Sequence, residues 1–149
     1  MIVIVDSNIL FSVCIAAEKK TRLSEVFFRQ FSHVQRISCH YAIDELFRHR
    51  QKLIKVSKLP ADRLDTLLQE TLKQVAFYNE DTIEPQNWQE ADRLTKDVDS
   101  NDIAFVALTL QTGGMLWTGD KKLSEHLKKM GFDHIVSTAE LAQLLNVEF

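Results

Sequence analysis

Ile2-Val3-Ile4-Val5-Asp6-Ser7-Asn8 is the stretch whose reading decides the fold of this chain. Four consecutive β-branched residues with no polar alternation describe a strand covered on both faces, as in a parallel sheet, rather than the half-solvated edge of an antiparallel one. Asp6 then stands just past the carboxyl end of that strand. In open α/β sheets this edge lines the crevice where ligands bind. A second reading is local: Asp6, Ser7 or Asn8 caps the helix that follows, since short polar side chains accept hydrogen bonds from first-turn N–H groups.

Outward from this strand, elements alternate. Ile9 to Ala17 and Thr21 to Phe31 read as helices, Val34 to Cys39 as a strand, and His40 to Leu59 as one long helix with an apolar stripe of Ile43, Leu46, Phe47, Leu53 and Ile54. Pro60 ends it and starts another, Ala61 to Val75. Ala76 to Tyr78 reads as a short third strand and Trp88 to Leu94 as a short helix. Asn101 to Thr112 is an apolar helix closed by Gly113-Gly114. Met115 to Thr118 is a strand, Lys121 to Met130 a helix, His134 to Val136 a last strand and Thr138 to Leu145 a last helix. Strands separated by helices imply crossover connections and a mainly parallel sheet, hence a three-layer α/β/α sandwich. The 149 residues, 45% hydrophobic, suffice for a single domain over 1–149 with its own core.

Composition excludes several classes. Cys14 and Cys39 have neither CxxC nor zinc spacing, and the five histidines lack HExxH spacing. The Walker phosphate loop and the GxSxG nucleophile elbow are absent, and a phosphatase with an Asp nucleophile would need a second Asp where Asn8 stands. The amino terminus has no basic segment ahead of its apolar run, and no apolar run approaches the roughly 20 residues of a membrane span, so a cytoplasmic protein with no membrane partner is expected. A net charge of −3 gives no general attraction to nucleic acid; binding would need a local basic patch.

The acids are distributed in a telling way. Asp120 follows the Met115 to Thr118 strand, so a parallel arrangement puts it on the same sheet edge as Asp6. Asp97, Asp99 and Asp102 cluster before the apolar helix, where Asp102 falls in the first turn and Asp99 serves as its cap. Glu45 lies off the apolar stripe of its helix, on the side of Arg48 and Lys52. Each also has a plain reading, as a helix cap or a solvated face.

Together these residues resemble the PIN-domain nucleases, a family that includes the VapC-type toxins of bacterial toxin-antitoxin pairs, and the resemblance covers nearly the whole chain. Asp6-Ser7-Asn8-Ile9-Leu10 is similar to the family's opening motif, Glu45 to its helical acid, Asn101-Asp102 to its third acidic motif, and Trp117-Thr118-Gly119-Asp120 to its fourth. The resemblance implies Asp6, Glu45, Asp102 and Asp120 as catalytic and metal-binding residues, with Asn8, Thr118 and Asp99 in support. It further implies cleavage of single-stranded RNA, and it allows a small antitoxin protein and a second copy of the chain as partners. A PIN-fold module without useful turnover, binding RNA or protein, is the alternative. Converging carboxylates repel unless a cation neutralises them, and hard oxygen donors suit Mg²⁺ or Mn²⁺. Arg48, Lys52 and Lys55, on one face of a continuous helix, would hold phosphates nearby.

Overall fold

A computed structural model describes residues 1–16, 19–98 and 102–147. Its elements in chain order are β1 (Ile2–Val5), α1 (Ser7–Ala16), α2 (Arg22–Phe28), β2 (Gln35–Cys39), α3 (His40–Arg48), α4 (Arg50–Ser57), α5 (Ala61–Lys73), β3 (Ala76–Tyr78), α6 (Pro85–Thr95), α7 (Ile103–Thr112), β4 (Met115–Trp117), α8 (Lys121–Lys129), β5 (Ile135–Val136) and α9 (Thr138–Leu144). A single 3₁₀ turn, Glu80–Thr82, follows β3.

The five strands form one sheet in the order β3-β2-β1-β4-β5, every neighbouring pair parallel. β1 is central, and Val3, Ile4 and Val5 are buried, as the unbroken β-branched run requires of a strand covered on both faces. α7 packs along β1, β2 and β4 with α6 against it, while α1 gathers α2, α3, α4 and α5 around itself. The result is the expected α/β/α sandwich. Two glycines shape the turn into β4. Gly113 takes a left-handed φ of 71° to end α7. A Cβ on Gly114 would come within 2.6 Å of Ile4 Cδ1 and 2.8 Å of Ile2 O, so only glycine lets this turn lie against β1.

The long helix expected over His40 to Leu59 is two helices. The backbone leaves helical geometry at His49, with φ −102° and ψ 18°, which caps the end of one helix and the start of the next. Arg48 therefore belongs to α3 and Lys52 and Lys55 to α4. Phe47, expected on the buried stripe, is 54% exposed; Ala42 and Leu46 are the buried residues of α3. Arg50 is taken up structurally, its guanidinium donating to both carboxylate oxygens of Asp65 on α5 at 2.7 and 2.8 Å. Asp102 also differs from expectation: it is the cap residue of α7 rather than a first-turn residue. Asp99 and Asn101, expected as its cap and its motif partner, lie outside the described residues. Among the described residues no helix is long and apolar enough to cross a membrane.

Candidate active site

In the order β3-β2-β1-β4-β5, the chain leaves β1 toward β2 and β3 and later returns to its other side with β4. That reversal opens a crevice at the carboxyl ends of β1 and β4, where a ligand meets loops and helix starts instead of a crossover. Val5 stands opposite Trp117 in the parallel register, and the Asp6 N–H donates to the Trp117 carbonyl at 3.4 Å. Asp6 is thus one residue past the register point on β1, and Asp120 three residues past it on β4. The Ser38 hydroxyl donates to the Val5 carbonyl at 2.6 Å, fixing the strand end from the β2 side.

Both carboxylates are caps, as the local reading of each held. Asp6 Oδ1 accepts the Ile9 N–H at 2.9 Å, and Asp120 Oδ1 accepts the Leu123 N–H at 3.1 Å. Capping occupies one oxygen of each. Asp6 is buried, and among the described residues its Oδ2 has no hydrogen-bond partner. Burial pushes the Asp6 carboxyl up from its ordinary 3.8 to about 6; the Thr118 hydroxyl and the N–H groups of Ile9 and Asn8 oppose the shift, and the negative charge of Asp120 adds to it. The Thr118 hydroxyl stabilises the anion from beside it without the geometry of a hydrogen bond to Oδ2. Thr118 itself is buried, and its Oγ1 accepts the Asp120 N–H at 3.1 Å, which holds the turn that presents Asp120.

A cavity of about 580 Å³ opens beside this pair. One wall is a stripe of α1, with Asn8, Phe11, Ser12 and Ile15 at helical spacing. The other is Glu45, His49, Lys52 and Val56, which keep the same spacing across the α3–α4 junction because His49 N–H still bonds to Glu45 O and Leu53 N–H to His49 O. Gly119 and Asp120 close one end. Glu45 is half-buried and its Oε1 is buried, so it is not on a solvated face. Its helix is anchored by Glu80, which accepts the Tyr41 N–H at 2.7 Å one turn before Glu45.

The structure therefore brings Asp6 beside Asp120 and places Glu45, Asn8 and Lys52 on one cavity with Asp120. It does not place Asp102, Arg48 or Lys55 on that wall, and the buried Asp6 lies behind Asp120 rather than on it. The Asp102 carboxylate makes no capping hydrogen bond to its helix. Among the described residues no group of three His, Cys, Asp or Glu side chains is assembled to hold a metal ion. What the site does provide is a fit in kind: a buried carboxylate with an unpartnered oxygen, kept protonated to an unusually high pH by burial and by a neighbouring carboxylate, is relieved by a hard cation.

His49, Phe11 and Glu80 escaped the sequence reading. For His49 a signal existed, since Glu45, His49 and Lys52 follow i, i+4, i+7. Glu80 carried none, because its role depends on β3 lying beside β2.

A family model described as "PIN domain" matches residues 4–135. No curated protein sequence matches the chain. Among solved structures it is similar to VapBC2 from Rickettsia felis, bound to a DNA fragment from the promoter, at 13% identity, TM-score 0.66, over 92% of this chain and 97% of that one. It is similar to VapBC-1 from nontypeable Haemophilus influenzae at 11% identity and TM-score 0.67, over 93% and 99% of the two chains. PAE2754 from Pyrobaculum aerophilum is 14% identical with TM-score 0.64, over 98% and 90%. At these identities the structures share the fold.

Proposed function

The chain belongs to the PIN-domain family, a family of nucleases, and from that premise we propose that it is a metal-dependent endoribonuclease that hydrolyses phosphodiester bonds of single-stranded RNA. The observation that carries this reading is Asp6: a buried carboxylate with an unpartnered oxygen, set against Asp120 at the switch point of the sheet. Asp6, Glu45, Asp102 and Asp120 are the residues that would hold Mg²⁺ or Mn²⁺, with Asn8, Thr118 and Asp99 in support. Such an ion, when bound, lowers the pKa of water and offsets the charge of the phosphate under attack.

The protein's own contribution is positional. The caps from Asp6 and Asp120 fix each carboxylate to a helix start, so its free oxygen is presented without a search among rotamers. Thr118 fixes the Asp120 turn, and Glu80 fixes the start of the helix that carries Glu45. Lys52, on the wall of the same cavity, supplies the positive charge that draws a phosphate toward an acidic site.

The VapBC names of two structural neighbours support a biological role as the toxin of a toxin-antitoxin pair, with a small antitoxin protein as partner. A homodimer in the cytoplasm accords with that role. A second reading is a catalytically weak PIN-fold module that binds RNA or protein.

A cleavage assay separates them. Purified protein should cut single-stranded RNA, lose activity in EDTA and recover it with Mg²⁺ or Mn²⁺, and both Asp6→Asn and Asp102→Asn should lower turnover by orders of magnitude with the fold intact. Activity that persists after chelation and dialysis sinks the metal mechanism. Full activity in Asp102→Asn removes Asp102 from the site, and no cleavage under any condition leaves the binding module.

A further inference from the structure

We propose that the cavity between α1 and the α3–α4 junction is a nucleobase subsite, which takes one unpaired base of the RNA next to the bond that is cut. The inference rests on the nuclease reading and adds what the enzyme grips. The cavity has the mixed chemistry of a nucleotide. Its acidic end carries Asp120, and its apolar flank carries Phe11, Ile15 and Val56, of which Ile15 and Val56 are 44% and 46% exposed. Such side chains left open to water beside a charged site gain by contact with an apolar ring face.

Phe11 and His49 face each other edge-on, ring centroids 5.7 Å apart and planes inclined at 66°. An edge-on pair leaves a ring face uncovered, and His49 is exposed. A base laid on that face extends the aromatic cluster. Lys52 stands one helical turn along from His49 and makes no ion pair among the described residues, although it shares the cavity with Glu45 and Asp120. An unpaired ammonium beside an open aromatic face is complementary to the phosphate and base of one nucleotide, and less so to an apolar peptide, which would leave the charge unanswered. At about 580 Å³ the cavity falls in the range that encloses ligands of nucleotide size.

Stacking is indifferent to base identity, because every base has a π face, but it demands a base free of its partner. The subsite therefore selects unpaired RNA without reading sequence. In duplex RNA the base is held in the helix and the cavity stays empty.

The experiment uses the full chain carrying Asp6→Asn, so that RNA stays whole, and single-stranded oligoribonucleotides with 2-aminopurine placed singly along the strand, in Mg²⁺. Because stacking sets no register on the strand, 2-aminopurine at several positions should each show a fluorescence change on binding. His49→Ala should abolish that change and weaken binding about tenfold, and Phe11→Leu should reduce both. His49 gives no side-chain hydrogen bond to either helix, so its alanine variant is expected to fold, and a thermal melt checks this. The matching duplex should bind at least tenfold more weakly. Tight RNA binding with no 2-aminopurine position responsive, or binding indifferent to His49→Ala and Phe11→Leu, overturns the subsite and makes a protein segment the better occupant. The two proposals fail separately: cleavage by the otherwise unaltered protein with no base response keeps the nuclease and removes the subsite. A base response lost in His49→Ala, without cleavage under any metal, keeps the subsite and removes the nuclease.

Discussion

Asp6 and Asp120 sit past the carboxyl ends of neighbouring parallel strands, each spending Oδ1 on the first turn of its own helix, and the charge of Asp120 helps to raise the Asp6 pKa. Cap and candidate ligand are therefore the same residue in both cases. A helix start at a sheet edge has N–H groups that want an acceptor and a crevice that wants a charge, and one carboxylate meets both with its two oxygens.

The metal-free protein should lose stability as pH rises from about 4 to 7. Asp6 holds its proton more tightly folded, with a pKa of about 6, than unfolded, near 3.8. Its contribution is therefore fully present below about 3.8, is lost as pH rises through 6, and stays lost above it, a span on the order of 3 kcal/mol. Denaturation at stepped pH should show the slope in the parent and not in Asp6→Asn, and Mg²⁺ at pH 7.5 should stabilise only the parent. A slope that survives in Asp6→Asn would assign it to another group.

Asp120 can be divided into its two roles. Asp120→Asn keeps an acceptor for the Leu123 N–H, while Asp120→Ala removes it and should cost about 1 kcal/mol more. Both should remove the repulsion felt by Asp6 and shift the pH-stability midpoint downward. Equal stabilities of the two variants in urea would show that the cap contributes nothing.

Among the basic residues, only some should contact RNA. Lys52→Gln should weaken binding across sequences and reduce the salt slope by about one. Arg50→Gln should leave the slope unchanged, because Arg50 is engaged with Asp65. Arg48 and Lys55, off the cavity wall, should fall between them. A slope unaltered by Lys52→Gln would return that lysine to the solvated surface.

Glycine substitutions should report on packing behind the site. Gly114→Ala drives a Cβ against the Ile2 carbonyl and the Ile4 side chain and should destabilise by about 1 to 3 kcal/mol. Gly119→Ala meets nothing within 4 Å and should be silent in a melt. If the two melt alike, β1 and the α7–β4 turn are more loosely packed than described.

The reading of Ile2 to Val5 as a doubly covered strand, the alternation of strands and helices, and the position of Asp6 and Asp120 at strand ends were all legible in residue order. They rest on periodicity and on side chains that favour particular backbone shapes, which are local properties. The break at His49 was not legible: no proline or glycine marks it, and the apolar pattern runs through it. Arg36 is the opposite case, a charged residue that looks solvated yet is buried on β2, where its guanidinium donates to the Val26 and Arg29 carbonyls at the end of α2. Strand order, the pairing of Val5 with Trp117, the cavity between the α1 and α3–α4 stripes, and the choice of which carboxylate oxygen stays free were decided only by the tertiary structure. Each joins residues far apart in the chain, and such contacts follow from packing the whole set of apolar faces at once rather than from any one segment's preference.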